Sequence, residues 1–296
     1  MARAALPGGA GAAPDTPQAA PGLVMSGTVF VLYQGTPLQR ARLRRLHARQ
    51  HVYLVEVVRR SAHYDWGDGL ADPGYSLETL FDDPPGNSAA EAASVTQALE
   101  RIRPDTVFVL GYARQFARAV TQYALRTGVP SVLISDSTPR EGRASRVAET
   151  VKRWMVGGHT AAFVAGTPQA RQIARLGIPR ARIFAGYDVV DNDWIAAQAE
   201  AARPSRPEPA PFLCVSRLVW QKNLERLIDA FADFVRAVPD SRRTLHIAGY
   251  GPLRDALQAR IDAAGLTDRV VLLGGVPYAE MPARYAHAAA FVLASG

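Results

Sequence analysis

The chain has 296 residues, and Lys plus Arg outnumber Asp plus Glu by 34 to 27, for a formal net charge of +7. This length accommodates two domains with sizeable cores, and the basic balance suits anionic partners: nucleotide sugars, anionic lipid headgroups or nucleic acid. A single cysteine, Cys214, excludes a disulfide framework within the chain, and no apolar run is long enough to span a bilayer.

Residues 1–27 are rich in Ala, Pro and Gly and lack the continuous apolar core of a secretory signal. The expectation is a disordered leader on a chain that works in the cytoplasm. Thr28 to Tyr33 is an apolar, β-rich run, the first expected strand. Thr36-Pro37 then pairs an N-cap residue with proline at the first helical position, opening a helix to about Gln50. That helix carries Arg40, Arg42, Arg44, Arg45, His47 and Arg49 and no acid. It has two readings, a contact with an anionic membrane surface or a solvated outer face. A strand follows over His51 to Val58, and residues 59–87 read as a long irregular loop.

Regular alternation then resumes. A helix over Ser88 to Arg103 precedes a strand over Thr106 to Leu110 that ends in Gly111-Tyr112. A helix over Ala113 to Thr127 precedes a strand over Pro130 to Ser135 that ends in Asp136-Ser137. A cationic helix spans Arg143 to Val156, a strand Thr160 to Ala165, a helix opening at Thr167-Pro168 ends at Gly177, and a short strand covers Arg182 to Ala185. Asp193 is placed to cap a helix at Trp194.

Residues 203–211 hold four prolines in nine positions, an extended, semi-rigid linker. Beyond it, strands at Phe212–Ser216, Thr244–Ala248, Val270–Leu273 and Ala290–Ala294 alternate with helices at Asn223–Val238, Leu253–Ala264 and Ala279–Ala288. Such alternation predicts a parallel sheet with ligands at the carboxyl ends of its strands. The division is therefore a leader (1–27), a first α/β domain (28–202), the linker (203–211) and a second α/β domain (212–296). Arg217 leaves the end of a strand and Lys222 precedes a helix, whose N-terminus already favours anions. The pair forms either a diphosphate site or two solvated cations at a turn.

Three motifs in order, Ser216-Arg217-Leu218 with Gln221-Lys222-Asn223, Gly249-Tyr250-Gly251-Pro252 and Gly274-Gly275-Val276, resemble the second domain of the family-4 retaining glycosyltransferases. The resemblance implies two facing Rossmann-like domains, the B-type glycosyltransferase fold. It further implies transfer of a sugar from a nucleotide-diphosphate donor to a glycan or lipid-linked acceptor, peripheral contact with the inner face of a membrane, and no nucleic-acid partner. In that family the residues matching Arg217 and Lys222 hold the donor diphosphate. Gly249 and Gly251 would let the backbone approach the donor, and main-chain groups at Val276 would meet its base. No metal or other cofactor is implied, and the donor phosphate is thought to accept the acceptor's proton.

Two matches in the first domain are less direct. Gly35 stands where the family has a glycine-rich loop facing the acceptor, and Asp136 stands where it often has a histidine near the transferred sugar. Asp136 either takes that role or caps the next segment. Asp191-Asn192-Asp193 has the form of a metal-binding Asp-x-Asp, and it also matches the family's stretch leading to the linker, a structural role. The family's paired glutamates have no counterpart here, so the second domain reads as cut short. Two alternatives stay open: a nucleotide-sugar epimerase of the same architecture, and a catalytically inactive module that binds a nucleotide sugar or lipid.

Overall fold

The computed structural model describes residues 27–60, 74–137 and 146–295. Residues 1–26 of the leader expected over 1–27, Asp65, Trp66, Asp68 and Asp72 of the expected loop, and Arg143 lie outside them. The first sheet is built from β1 (Thr28–Leu32), β2 (Val52–Val58), β3 (Ser76–Phe81), β4 (Thr106–Leu110), β5 (Ser131–Ser135), β6 (Ala161–Val164) and β7 (Ile183–Ala185). All neighbours pair in parallel, in the order β3-β2-β1-β4-β5-β6-β7. The order reverses between β1 and β4, which opens a crevice at their carboxyl ends.

Helices α1 (Pro37–His47), α2 (Ser88–Ile102), α3 (Gln115–Thr127), α4 (Arg146–Gly157) and α5 (Thr167–Arg175) cover the two faces. Alternation along the strands decides which residues meet which helix. Val29, Val31, Val107 and Val109 pack under Leu99 of α2 and Phe116 of α3, while Phe30, Leu32 and Leu54 turn to Leu43 of α1. Leu133, Ala162 and Val164 continue the first face under Val156 of α4 and Ile173 of α5. Burying each such side chain contributes roughly 1.5–3 kcal/mol.

The second sheet comprises β8 (Phe212–Val215), β9 (Leu245–Ala248), β10 (Val270–Gly274) and β11 (Ala290–Phe291), again parallel, in the order β10-β9-β8-β11. Its reversal lies between β8 and β11. Helices α7 (Leu224–Ala237) and α8 (Arg254–Ala263) bury Leu224, Ile228, Phe231, Leu257 and Ile261 against Cys214, Ile247 and Val270. Two helices join the units. On α6 (Asn192–Ala202), Trp194 stacks on Tyr278 with ring centroids 5.3 Å apart. From α9 (Met281–His287), the imidazole Nε2 of His287 lies 2.9 Å from the Ala202 carbonyl and 3.1 Å from the Ser205 hydroxyl.

Four expectations need correction. The stretch 59–87 is not irregular throughout, because Ser76–Phe81 forms the edge strand β3 beside β2. Asp191, not Asp193, caps α6, with its carboxylate accepting from the Trp194 N–H at 3.2 Å. Gly166 rather than Thr167 occupies the cap of α5. The cations of α1 do not form one solvated or membrane-facing stripe: Arg40 turns inward to buried Glu56, and Arg42 and Arg45 pair with Asp188 and Asp191. Thr36 does cap α1 as expected, in a reciprocal capping box with Gln39.

Candidate functional site: three strand ends of the second sheet

The carboxyl ends of β8, β9 and β10 are bonded into one platform. After β8 the Ser216 N–H donates to the Ala248 carbonyl at 3.0 Å, and the Leu218 N–H donates to the Tyr250 carbonyl at 2.9 Å. The Leu253 N–H returns to the Leu218 carbonyl at 3.1 Å, and the Gly249 N–H donates to the Gly274 carbonyl at 2.7 Å. Leu218 is the anchor, fully buried in the second core. Its neighbour Arg217 is exposed at the rim.

The glycines are explained by the chain's own backbone. A β-carbon at Gly249 (φ +137°) would lie 1.9 Å from the Ser216 carbonyl oxygen, and one at Gly251 (φ +158°) would lie 2.5 Å from that of Leu218. Both backbones therefore approach the 216–218 turn, and only glycine allows it. Tyr250 lies over Gly275, where a β-carbon would meet its ring at 3.3 Å.

From Val219 the chain makes a single 3-10 turn, Trp220–Lys222, and Asn223 enters α7 in the left-handed region at φ +51° with no side-chain cap on the helix. The start of α7, directly after Lys222, thus has no side-chain cap, an arrangement suited to an anion. Lys222 is half-buried and lies close enough to Cys214 to act on its thiol. Burial pushes that thiol up, while the Ser216 hydroxyl and the Lys222 charge pull it down. Arg217, Lys222, Gly249, Gly251 and the 274–276 turn that includes Val276 are thus assembled on one edge.

Asp136 and Gly35 belong to the first sheet and are set apart from each other, at the ends of β5 and β1 with β4 between them. Asp136 is exposed, and its backbone carbonyl accepts from Gln169 Nε2 at 3.0 Å. Its carboxylate acts on Tyr187, whose hydroxyl pKa is raised first by burial and in part by Asp136. The Gly35 N–H donates to Glu56 Oε1 at 2.6 Å and its carbonyl accepts from Arg40 Nε at 2.9 Å. Both backbone groups of Gly35 are thereby used inside the protein.

Two pairs at the first crevice carried no clear sequence signal. The Arg114 guanidinium lies 3.4 Å from the centre of the Tyr33 ring at the switch between β1 and β4, and Gln39 Nε2 donates to the Tyr187 hydroxyl at 3.3 Å. An aromatic residue closing a strand at Tyr33 was the one available hint. Beside α1, a cleft of about 540 Å³ is lined by Arg42, Arg45 and residues 189–193. Here Asp191 spends one oxygen on the Trp194 N–H and the other, 3.3 Å away, on Arg45.

With this geometry in view, comparison with known proteins gives a consistent class. Residues 197–296 match the model of the glycosyl transferases group 1 family. The chain is 38% identical over 109 residues to a GDP-mannose-dependent alpha-(1-6)-phosphatidylinositol monomannoside mannosyltransferase of Mycolicibacterium smegmatis, covering 35% of this chain and 28% of that protein. It is 34% identical over 117 residues to a 2-deoxystreptamine glucosyltransferase of Streptomyces kanamyceticus, covering 37% and 30%. The chain thus spans under a third of the length of these relatives. Among solved structures, HepE of Anabaena in complex with UDP and glucose superposes with a TM-score of 0.63 at 16% identity, over 91% of this chain and 74% of that one. The UDP-GlcNAc 2-epimerase of Neisseria meningitidis superposes at 0.59 with 13% identity, over 88% and 75%. The fold is the B-type glycosyltransferase fold, built from Rossmann-like α/β units with parallel sheets.

Proposed function

We propose that this protein belongs with the family-4 retaining glycosyltransferases and transfers a sugar from a nucleotide-diphosphate donor to a glycan or lipid-linked acceptor. The observation that carries the reading is the bonded platform at the ends of β8, β9 and β10, which gathers two cations and an uncapped helix start on one edge. Arg217 and Lys222 would neutralise the charge that develops on the leaving diphosphate. Cations already held by a folded turn need little reorganisation as that charge grows. Backbone groups at Gly249, Gly251 and Val276 would bound the donor on the neighbouring strand ends, with Asp136 facing the sugar from the first unit. The reading assigns the diphosphate charge to side chains and needs no metal ion. The mannosyl- and glucosyltransferase relatives support the class of reaction, and the stretch that matches the glycosyl transferases group 1 family, residues 197–296, contains the platform.

Titration calorimetry with GDP and UDP tests the site directly. Binding of at least one diphosphate is expected, with Arg217→Ala and Lys222→Ala each weakening it by about 10- to 100-fold, because a charge-assisted contact is worth roughly 1.5–3 kcal/mol. Unchanged affinity in both variants would remove these residues from the site. Turnover of a sugar nucleotide into its epimer without any acceptor would move the assignment to an epimerase.

A further inference from the structure

Trp220 is the most exposed large apolar side chain among the described residues, at 78%. Among those residues its ring stacks on no other ring, and its indole N–H has no hydrogen-bond partner. Trp194, by contrast, is stacked on Tyr278. Exposed apolar side chains scattered singly over a surface are ordinary. Trp220 is set apart by its place in the fold.

It opens the 3-10 turn that separates Arg217 from Lys222. The turn is closed by its own backbone. The Val219 N–H donates to the Arg217 carbonyl, the Lys222 N–H to the Val219 carbonyl and the Asn223 N–H to the Trp220 carbonyl, each at 3.0 Å. Leu218 before the turn and Leu224 after it are buried and hold both ends. Residue 220 is therefore fixed within about 7 Å of Lys222 and about 11 Å of Arg217, α-carbon to α-carbon. The strand order gives the direction. The 274–276 turn follows β10, Gly249 and Gly251 follow β9, and the two cations follow β8. Two strand spacings, about 10 Å, separate the ends of β10 and β8, a distance comparable to the reach of a nucleoside diphosphate from base to terminal phosphate. A donor with its base at β10 and its diphosphate at β8 thus places its sugar beside residue 220, on the side away from the base.

We propose that Trp220 binds the sugar of the donor, with its indole against the C–H face of the hexose joined to the β-phosphate. Trp220 takes this part only if Arg217 and Lys222 hold the diphosphate, the reading proposed above. A hexose turns hydroxyl groups out at its rim and C–H bonds toward its faces. Those bonds carry slight positive charge and meet the negative face of an aromatic ring. Contact also removes apolar area of both partners from water. Arg217 and Lys222 then select the diphosphate and Trp220 the group attached to it, so a bare nucleoside diphosphate and its sugar ester are told apart by a different side chain.

Titration calorimetry of the whole chain with GDP, GDP-mannose, UDP and UDP-glucose tests this. Trp220→Ala should weaken binding of at least one sugar nucleotide by about 3- to 10-fold while changing that of the matching bare diphosphate by less than about twofold. Trp220→Phe, which keeps an aromatic face, should stay within about twofold of wild type for both ligands. Arg217→Ala should weaken both alike. In wild type the hexose protons of the bound sugar nucleotide should move upfield in NMR spectra through the indole ring current, and Trp220→Ala should abolish that shift. Thermal unfolding should be unaltered in both Trp220 variants, because the ring is exposed. Equal loss of diphosphate and sugar nucleotide in Trp220→Ala would overturn the assignment to the sugar. So would unchanged sugar-nucleotide affinity, or wild type that binds the diphosphates and neither sugar nucleotide, and in both cases an Arg217→Ala effect on the diphosphate leaves the diphosphate site standing. Absence of any diphosphate binding by wild type would remove that site and the role of Trp220 with it.

Discussion

The α-carbon of Gly249 faces the carbonyl oxygen of Ser216 so closely that an added methyl group would stand 1.9 Å from it. The same residue donates its N–H to Gly274, so it locks the ends of β8, β9 and β10 together. Gly249→Ala should therefore destabilise the protein by about 3 kcal/mol or more, from backbone overlap added to strain at positive φ. Gly275→Ala meets only the Tyr250 ring at 3.3 Å, which can shift, and should cost less than half as much. Urea unfolding of both variants is the check, and equal midpoints would refute the packing account of Gly249.

Glu56 is a carboxylate fully buried in β2 with four contacts. It accepts from the Gly35 N–H at 2.6 Å and the Thr79 hydroxyl at 2.9 Å, and it pairs with Arg40 at 3.3 and 3.4 Å. Glu56→Ala strands the buried Arg40 charge and the Gly35 donor, a loss of roughly 3–5 kcal/mol. Arg40→Met with Glu56→Leu removes both charges together and should lose less than Glu56→Ala alone. If the double variant is the weaker of the two in urea, the ion pair itself is stabilising and the account of a stranded charge fails.

The alternation that organises both sheets was legible because parallel strands buried on both faces, such as Thr28–Leu32 and Val52–Val58, are nearly continuous apolar runs. β3 escaped because Ser76–Phe81 is half-exposed at every position and lies at the sheet edge, so the run Ser-Leu-Glu-Thr-Leu-Phe lacks that signature. The inward turn of Arg40 depended on a partner sixteen positions along the chain. Its signal was present all the same: a lone glutamate among six apolar residues of β2 cannot be buried without a cation or donors. The strand-end glycines were legible as points of close approach, but what they approach is set by the neighbouring turn, which sequence spacing does not reveal.

His159 bridges Thr121 and Ser131, with 3.1 Å from each ring nitrogen to a hydroxyl. The Thr121 hydroxyl already donates to the Ala117 carbonyl at 3.1 Å, so it accepts from Nε2–H, and Nδ1 accepts from Ser131. Burial holds this neutral ring down to a pKa of about 4. The unfolded chain takes up the proton near the ordinary imidazole value of 6.5. Stability from this group is therefore present above pH 6.5 and is lost as pH falls toward 4, by at most about 3 kcal/mol. Unfolding midpoints of wild type and His159→Asn should converge as pH falls through that window. A constant gap between them would mean that the ring titrates normally.

Asp191 gives the last prediction, because it separates two uses of an Asp-x-Asp. A metal on a donor diphosphate needs carboxylate oxygens aimed into open space. Asp191 instead gives one oxygen to the Trp194 N–H, capping α6, and the other to Arg45 of α1. Trp194, held by that cap, stacks on Tyr278 and so joins the two units. Asp191→Ala should thus lower stability by about 1 kcal/mol, the cost of a lost cap, while the exposed Arg45 pair adds little. Diphosphate affinity should be unaltered in this variant and in wild type treated with a chelator, since Arg217 and Lys222 carry the phosphate contacts in the proposed site. Asp191→Asn, which keeps an accepting oxygen for the cap, should recover most of the stability. The opposite pattern, stable variants whose diphosphate binding vanishes with chelator and returns with added magnesium or manganese, would make residues 191–193 a metal site and displace the two cations from their proposed role.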